Sequence, residues 1–142
     1  GPDSIPTGEV LPVAGTPMDF RTEKAVGRDI GADYDPLHYQ KGYDHNYILL
    51  SKELTRPAAR LRDPGSGRVM TVYTDCPGLQ LYTANYLNCH GKGGIYYPNQ
   101  SAVCLESQFY PDSVNHPQFP SSVLKAGEVY DSETVFAFSA EG

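Results

Sequence analysis

Glycine and proline recur along almost the whole of this chain, 14 and 12 times in 142 residues, and leave only short segments between them. Proline lacks a backbone N–H and glycine is costly inside a helix, so such punctuation leaves little room for long helices. The intervening segments are rich in Val, Tyr, Thr, Phe and Leu and carry no sustained helical period, which is an all-β pattern. It is clearest from Ala58 onward, where "AARLR" and "RVMTVYT" flank the turn-forming "DPGSG" as a hairpin would. A second pair is expected from "LQLYTANYL" and "GIYYP" around "NCHGKG", followed by strands at "SAVCLESQF" and "TVFAFS". The first 40 residues are less regular, with one strand expected in "LPVAGTPMDF" and then a polar loop. Five to seven short strands at this spacing predict an antiparallel β-sandwich. The chain shows no internal repeat and no compositional shift that would mark a linker, so residues 1–142 read as a single domain.

Charge and cysteine content exclude several classes of function. The net charge is -6, with acids and bases scattered, so there is no basic stripe for phosphates and nucleic acid is not an expected partner. The longest apolar runs, such as "YILL" from Tyr47, fall far short of the roughly 20 residues of a membrane span, and no signal peptide is visible. Cys76, Cys89 and Cys104 are an odd count without CxxC or Cys/His zinc spacing, which points to a reducing compartment, the cytoplasm. The opening Gly1-Pro2 is either native or what a tag-removing protease leaves behind.

Among the chemical candidates, "GKGG" at residues 91–94 lacks the phosphate-loop frame and reads as a hairpin loop. His38, His45, His90 and His116 have no helical i, i+4 pairing that would suggest a metal site, and no GxSxG elbow is present. "GYDHN", residues 42–46, gathers a ring, a carboxylate, an imidazole and an amide just before an apolar strand; read alone, it is a polar turn in which Asp44 caps local backbone donors. In "PGLQLYT" and the residue after it, strand alternation sets Gln80, Tyr82 and Ala84 opposite Leu79, Leu81 and Thr83, so Gln80 faces either water or a ligand hydroxyl. In "VCLESQF" the same alternation sets Glu106 with Cys104 and Gln108. A strand glutamate is usually solvent-facing, yet cysteine is usually buried, and a covered carboxylate with a raised pKa is a common acid/base catalyst. Pattern leaves both readings of Glu106 open.

Five stretches, "IPTGEVLPVAGTPMDFR", "GYDHNYIL", "SGRVMTVYTDCPGLQLYTANYL", "VCLESQFYPDSVNHPQFP" and "LKAGEVYDSETVFAF", occur in order from about Ser4 to Phe138. Together they resemble successive motifs in the C-terminal half of the aldose 1-epimerase (galactose mutarotase) family. The resemblance implies a galactose-mutarotase-like supersandwich, of which this chain is the C-terminal portion. It also implies interconversion of the α and β anomers of free aldoses such as galactose and glucose, with no metal or organic cofactor. By the family's motifs Glu106 is the catalytic base, while Asp44 and Gln80 bind sugar hydroxyls.

The family's proton donor to the ring oxygen is a histidine of the N-terminal half, and none of the four histidines here stands in that context. Cys76 replaces a glutamine frequent in relatives. A half-length chain is expected to expose strand edges and apolar surface. It is then a piece of a longer enzyme, one part of a two-chain assembly with an N-terminal half, or a short protein that folds as a self-dimer. Gly1-Pro2 favours the first. Two non-enzymatic alternatives are a carbohydrate-binding module that lacks the acid and a structural fragment without ligand.

Overall fold

The computed structural model describes Ser4–Glu141, so the Gly1-Pro2 dipeptide lies outside the described residues. In chain order come helix α1 (Asp35–Gln40) and strands β1 (Asp44–Ile48), β2 (Ala59–Arg62), β3 (Arg68–Thr74) and β4 (Gly78–Tyr82). They are followed by β5 (Cys89–His90), β6 (Tyr96–Tyr97), β7 (Cys104–Gln108) and β8 (Thr134–Ala140). The strands form three sheets, in the orders β1-β4-β7, β2-β3-β8 and β5-β6. The chain divides into two compact units, Gly1–His45 with Gln80–Leu105 and Asn46–Leu79 with Glu106–Gly142.

The unit built on Asn46–Leu79 and Glu106–Gly142 contains the predicted hairpin. β2 and β3 are antiparallel, with Ala59 opposite Val72 and Arg62 opposite Val69. Asp63 closes the connection by accepting the N–H of Gly65 at 3.1 Å and the hydroxyl of Ser66 at 2.6 Å, the local side-chain-to-backbone bonding that aspartate favours in turns. Gly67 ends the turn at φ +70, and a Cβ there would lie 2.2 Å from the Glu141 carbonyl oxygen, so no larger residue fits. β8 pairs with β3 along its whole length, Arg68 opposite Ala140 through Thr74 opposite Thr134. Val69 and Val72 of β3 are buried, whereas Val135, Phe136 and Phe138 on the β8 edge are exposed. The exposed apolar surface expected of a half-length chain is therefore present.

The other unit contains the first 40 residues, and here two expectations fail. "LPVAGTPMDF" forms no strand: Pro12 and Pro17 supply no ladder N–H, and the segment turns instead, with the Thr16 N–H and hydroxyl both donated to the Val13 carbonyl. What holds this polar stretch is Lys24, whose ammonium is buried and donates to the Pro17 carbonyl at 2.6 Å and to Asp29 at 2.7 Å while lying 4.4 Å from the Phe20 ring centre. The second predicted hairpin is also different. β4 ends where Ala84 takes a left-handed φ of +52, and it lies between β1 and β7 rather than against "GIYYP". The partner of Tyr96–Tyr97 is Cys89–His90, across the glycine-rich loop 91–94 that was expected to be a turn.

α1 has only six residues, too few to persist alone. Pro36 opens it, Leu37 and Gln40 are buried, and Lys41 stops it in the left-handed region at φ +56.

Tyr43, wholly buried, follows it. Its hydroxyl donates to the Pro17 carbonyl at 3.0 Å, its ring meets Phe20 edge-on at 5.1 Å, and burial pushes the phenol up to about 12.

The Tyr43 carbonyl accepts the N–H of Thr83 at 3.0 Å and the amide of Asn85 at 2.9 Å, and the Thr83 hydroxyl donates to Asn85 Oδ1 at 2.6 Å. Both Thr83 and Asn85 are buried. Removing one member of such a network leaves a buried group unpaired. We expect Asn85→Ala to lower unfolding stability by about 1–3 kcal/mol, read from the urea midpoint of the purified chain. A second prediction concerns Asp75, which accepts the Ser132 hydroxyl at 2.7 Å and the Glu133 N–H at 3.1 Å. These bonds, the hydroxyl first, hold its carboxyl below the ordinary 3.8 despite partial desolvation. A depressed folded-state value gives stability that is complete above the ordinary value and lost as pH falls through the lower one. Wild type should therefore exceed Asp75→Asn in urea midpoint at neutral pH, and the difference should shrink once pH drops below 3.8.

Candidate functional site

The stretch from α1 into β1 delivers Asp44 in a fixed orientation. Gly42 sits at φ +144, and a Cβ there would lie 2.3 Å from Asn85 Oδ1, so glycine lets the chain pass beside the Asn85 amide. Tyr43 then turns both its N–H and its C=O toward Thr83, taking the threonine hydroxyl at 3.1 Å as acceptor for the N–H. Because strand groups alternate, Asp44 points its own N–H to the opposite, unpaired side of β1. That N–H donates to Nδ1 of His45 at 3.0 Å. His45 is half-buried, and desolvation lowers its imidazole from the ordinary value, against the pull of the Asp44 carboxylate and of the Pro36 backbone.

The Asp44 carboxylate reaches across to β4, where Oδ1 accepts Nε2 of Gln80 at 2.7 Å. Leu79 and Leu81 on the other face are buried, so the strand is anchored through its apolar side and presents Gln80 and Tyr82 half-exposed, as alternation predicted. A carboxylate and an amide locked together in this way offer acceptors and donors at fixed positions, the chemistry that recognises hydroxyl groups.

In the unit that holds Glu106, β7 is tied on both faces. Gln108 Nε2 donates to Asn46 Oδ1 at 3.1 Å, and the Ser107 and Thr134 hydroxyls are 2.7 Å apart, with Thr134 in turn 2.9 Å from the Thr74 hydroxyl. Asn46 is itself fitted over Gly78, whose Cβ would fall 2.5 Å from Asn46 Oδ1. Glu106 lies between these anchors with its side chain exposed, and Cys104 is half-exposed rather than buried. The covered face inferred from Cys104 is thus not observed: on that face Glu106 is exposed and Cys104 and Gln108 are only half-buried.

The polar-turn reading of "GYDHN" does not hold either. Asp44 opens a strand, and its side chain bonds Gln80, 36 residues away, instead of local backbone. Pattern reading missed Asn46, Thr83, Asn85 and Gln108. The available signal was the clustering of amide and hydroxyl residues at alternate strand positions, Asp44 with Asn46 and Glu106 with Gln108.

The family model described as aldose 1-epimerase matches residues 1–137. Galactose mutarotase from Mus musculus is 45% identical over 137 residues, which is 95% of this chain and 39% of the relative. Aldose 1-epimerase from Escherichia coli (strain K12) is 38% identical over 141 residues, 96% of this chain and 40% of the relative. The chain thus spans about two-fifths of the length of these relatives. Among solved structures, the aldose epimerase homologue from C. elegans superposes with a TM-score of 0.81 at 28% identity, covering 97% of this chain and 41% of that one. Galactose 1-epimerase from Lactobacillus acidophilus NCFM gives 0.77 at 25% identity, covering all of this chain and 40% of that one. The expected all-β, galactose-mutarotase-like fold is borne out by these likenesses. With its motifs matched in order and its fold shared, the chain belongs to the aldose 1-epimerase family.

Proposed function

We propose that this chain is the C-terminal, sugar-handling portion of an aldose 1-epimerase acting on free aldoses such as galactose and glucose. The observation that carries the reading is the 2.7 Å bond between Gln80 and Asp44, which ties together two family motifs far apart in sequence as a preset hydroxyl-binding pair. Asp44 and Gln80 hold the pyranose, a positioning role. Glu106 is the base that takes the proton from the C1 hydroxyl. As that proton leaves and another is delivered to the ring oxygen, the bond between C1 and the ring oxygen breaks. The C1 carbonyl then turns about the C1–C2 bond, and the reverse transfers close the other anomer. No cofactor is called for, since the product is an isomer and only protons move. The acid for the ring oxygen is a histidine that family resemblance assigns to the N-terminal half, so full turnover requires that half, as a second chain or in a longer parent. Exposed Val135, Phe136 and Phe138 on β8 support a partner of that kind or a self-dimer. Cys76, Cys89 and Cys104 are all free, which supports a reducing, cytoplasmic setting, and no helix among the described residues is long and apolar enough to cross a membrane.

A second reading, a non-catalytic carbohydrate-binding module, is favoured by the exposure of Glu106. Polarimetry of freshly dissolved α-D-galactose separates the two. With an N-terminal half added, the chain should hasten the approach to anomeric equilibrium, and Glu106→Gln should reduce that acceleration by about 10²- to 10⁴-fold; the chain alone should be weak or inactive. Galactose binding without acceleration in either condition would favour the module. In both readings Asp44→Ala should weaken galactose binding about tenfold or more, followed by NMR titration, since a charge-assisted hydrogen bond is lost.

A further inference from the structure

The imidazole of His45 is not used by the reaction above, yet it lies directly behind the residue that holds the sugar. Nδ1 accepts the Asp44 N–H at 3.0 Å, so this nitrogen carries no proton. A neutral ring with Nδ1 as acceptor carries its proton on Nε2. The imidazole thus holds the Asp44 N–H, the backbone donor next to the Tyr43 N–H that the Thr83 hydroxyl accepts.

We infer that His45 is a positioning residue: with Nδ1 as acceptor it holds the Asp44 backbone N–H and so sets the aim of the Asp44 carboxylate toward its hydroxyl ligand. The inference rests on the sugar-binding reading of Asp44 and Gln80. Burial supports it, since desolvation disfavours the charged imidazolium, which would have to give up its acceptor nitrogen. Without the clamp, the Asp44 N–H at a strand edge returns to water and the carboxylate loses its fixed backbone, although Gln80 still holds one oxygen.

The test uses this chain and galactose. Nitrogen-15 shifts of the His45 ring should show a protonated Nε2 and an unprotonated Nδ1; protonation at Nδ1 overturns the inference whether or not sugar binds. By NMR titration, His45→Phe should weaken galactose binding about tenfold. His45→Asn, whose side-chain oxygen can stand where Nδ1 stood, should recover most of that loss. In an Asp44→Ala background His45→Phe should add almost nothing, because the effect runs through Asp44. Equal losses in His45→Phe and His45→Asn, or a full additional loss in the Asp44→Ala background, would mean a merely structural histidine and overturn the inference while leaving the sugar site intact. Failure of the wild type to bind galactose removes both.

Discussion

The Tyr43 carbonyl is where the geometry around Asp44 and Gln80 is decided. It is buried, it cannot reach water, and it must be matched; the Thr83 N–H and the Asn85 amide do so together. That requirement fixes β1 against β4 at one register. It demands glycine at position 42, where any side chain would strike Asn85. Since neighbouring strand residues face opposite ways, it also determines that Asp44 sends its N–H outward and meets Gln80 with its carboxylate. The Asp44–Gln80 geometry thus follows from satisfying one buried backbone group.

The two halves of the proposed chemistry are built by different means. Asp44 and Gln80 are preset: each restrains the other and the leucines beneath hold the strand. Glu106 is instead held only through its neighbours, Gln108 bonding Asn46 and Ser107 bonding Thr134, while its own carboxylate stays exposed. A base must be placed within reach of one proton and also be desolvated enough to take it, and placement without desolvation is half of that requirement. The chain spans about two-fifths of the length of the relatives named above.

The β2-β3-β8 sheet leaves apolar surface uncovered. Val69 and Val72 are buried in the middle strand of the β2-β3-β8 sheet, and the exposed rings of Phe136 and Phe138 lie on its outer strand. An edge strand with uncovered aromatic side chains and no charge among Thr134–Ala140 lacks the features by which isolated sheets protect their edges.

The sequence by itself determined the class of fold, because glycine and proline at short intervals forbid long helices and alternation marks the strands. It also determined the β2-β3 hairpin, because "DPGSG" carries its own turn chemistry in Asp63 and Gly67. The motifs singled out Asp44, Gln80 and Glu106 one at a time. Only the tertiary structure decided that Asp44 and Gln80 bond each other, that Asn46 belongs with Gln108, that β4 pairs with β1 and β7 instead of the next tyrosine-rich segment, and that Cys104 is not buried. The reason is range: turns and alternation are set by residues a few positions apart, whereas strand order and side-chain partners depend on which distant segments satisfy one another's buried groups.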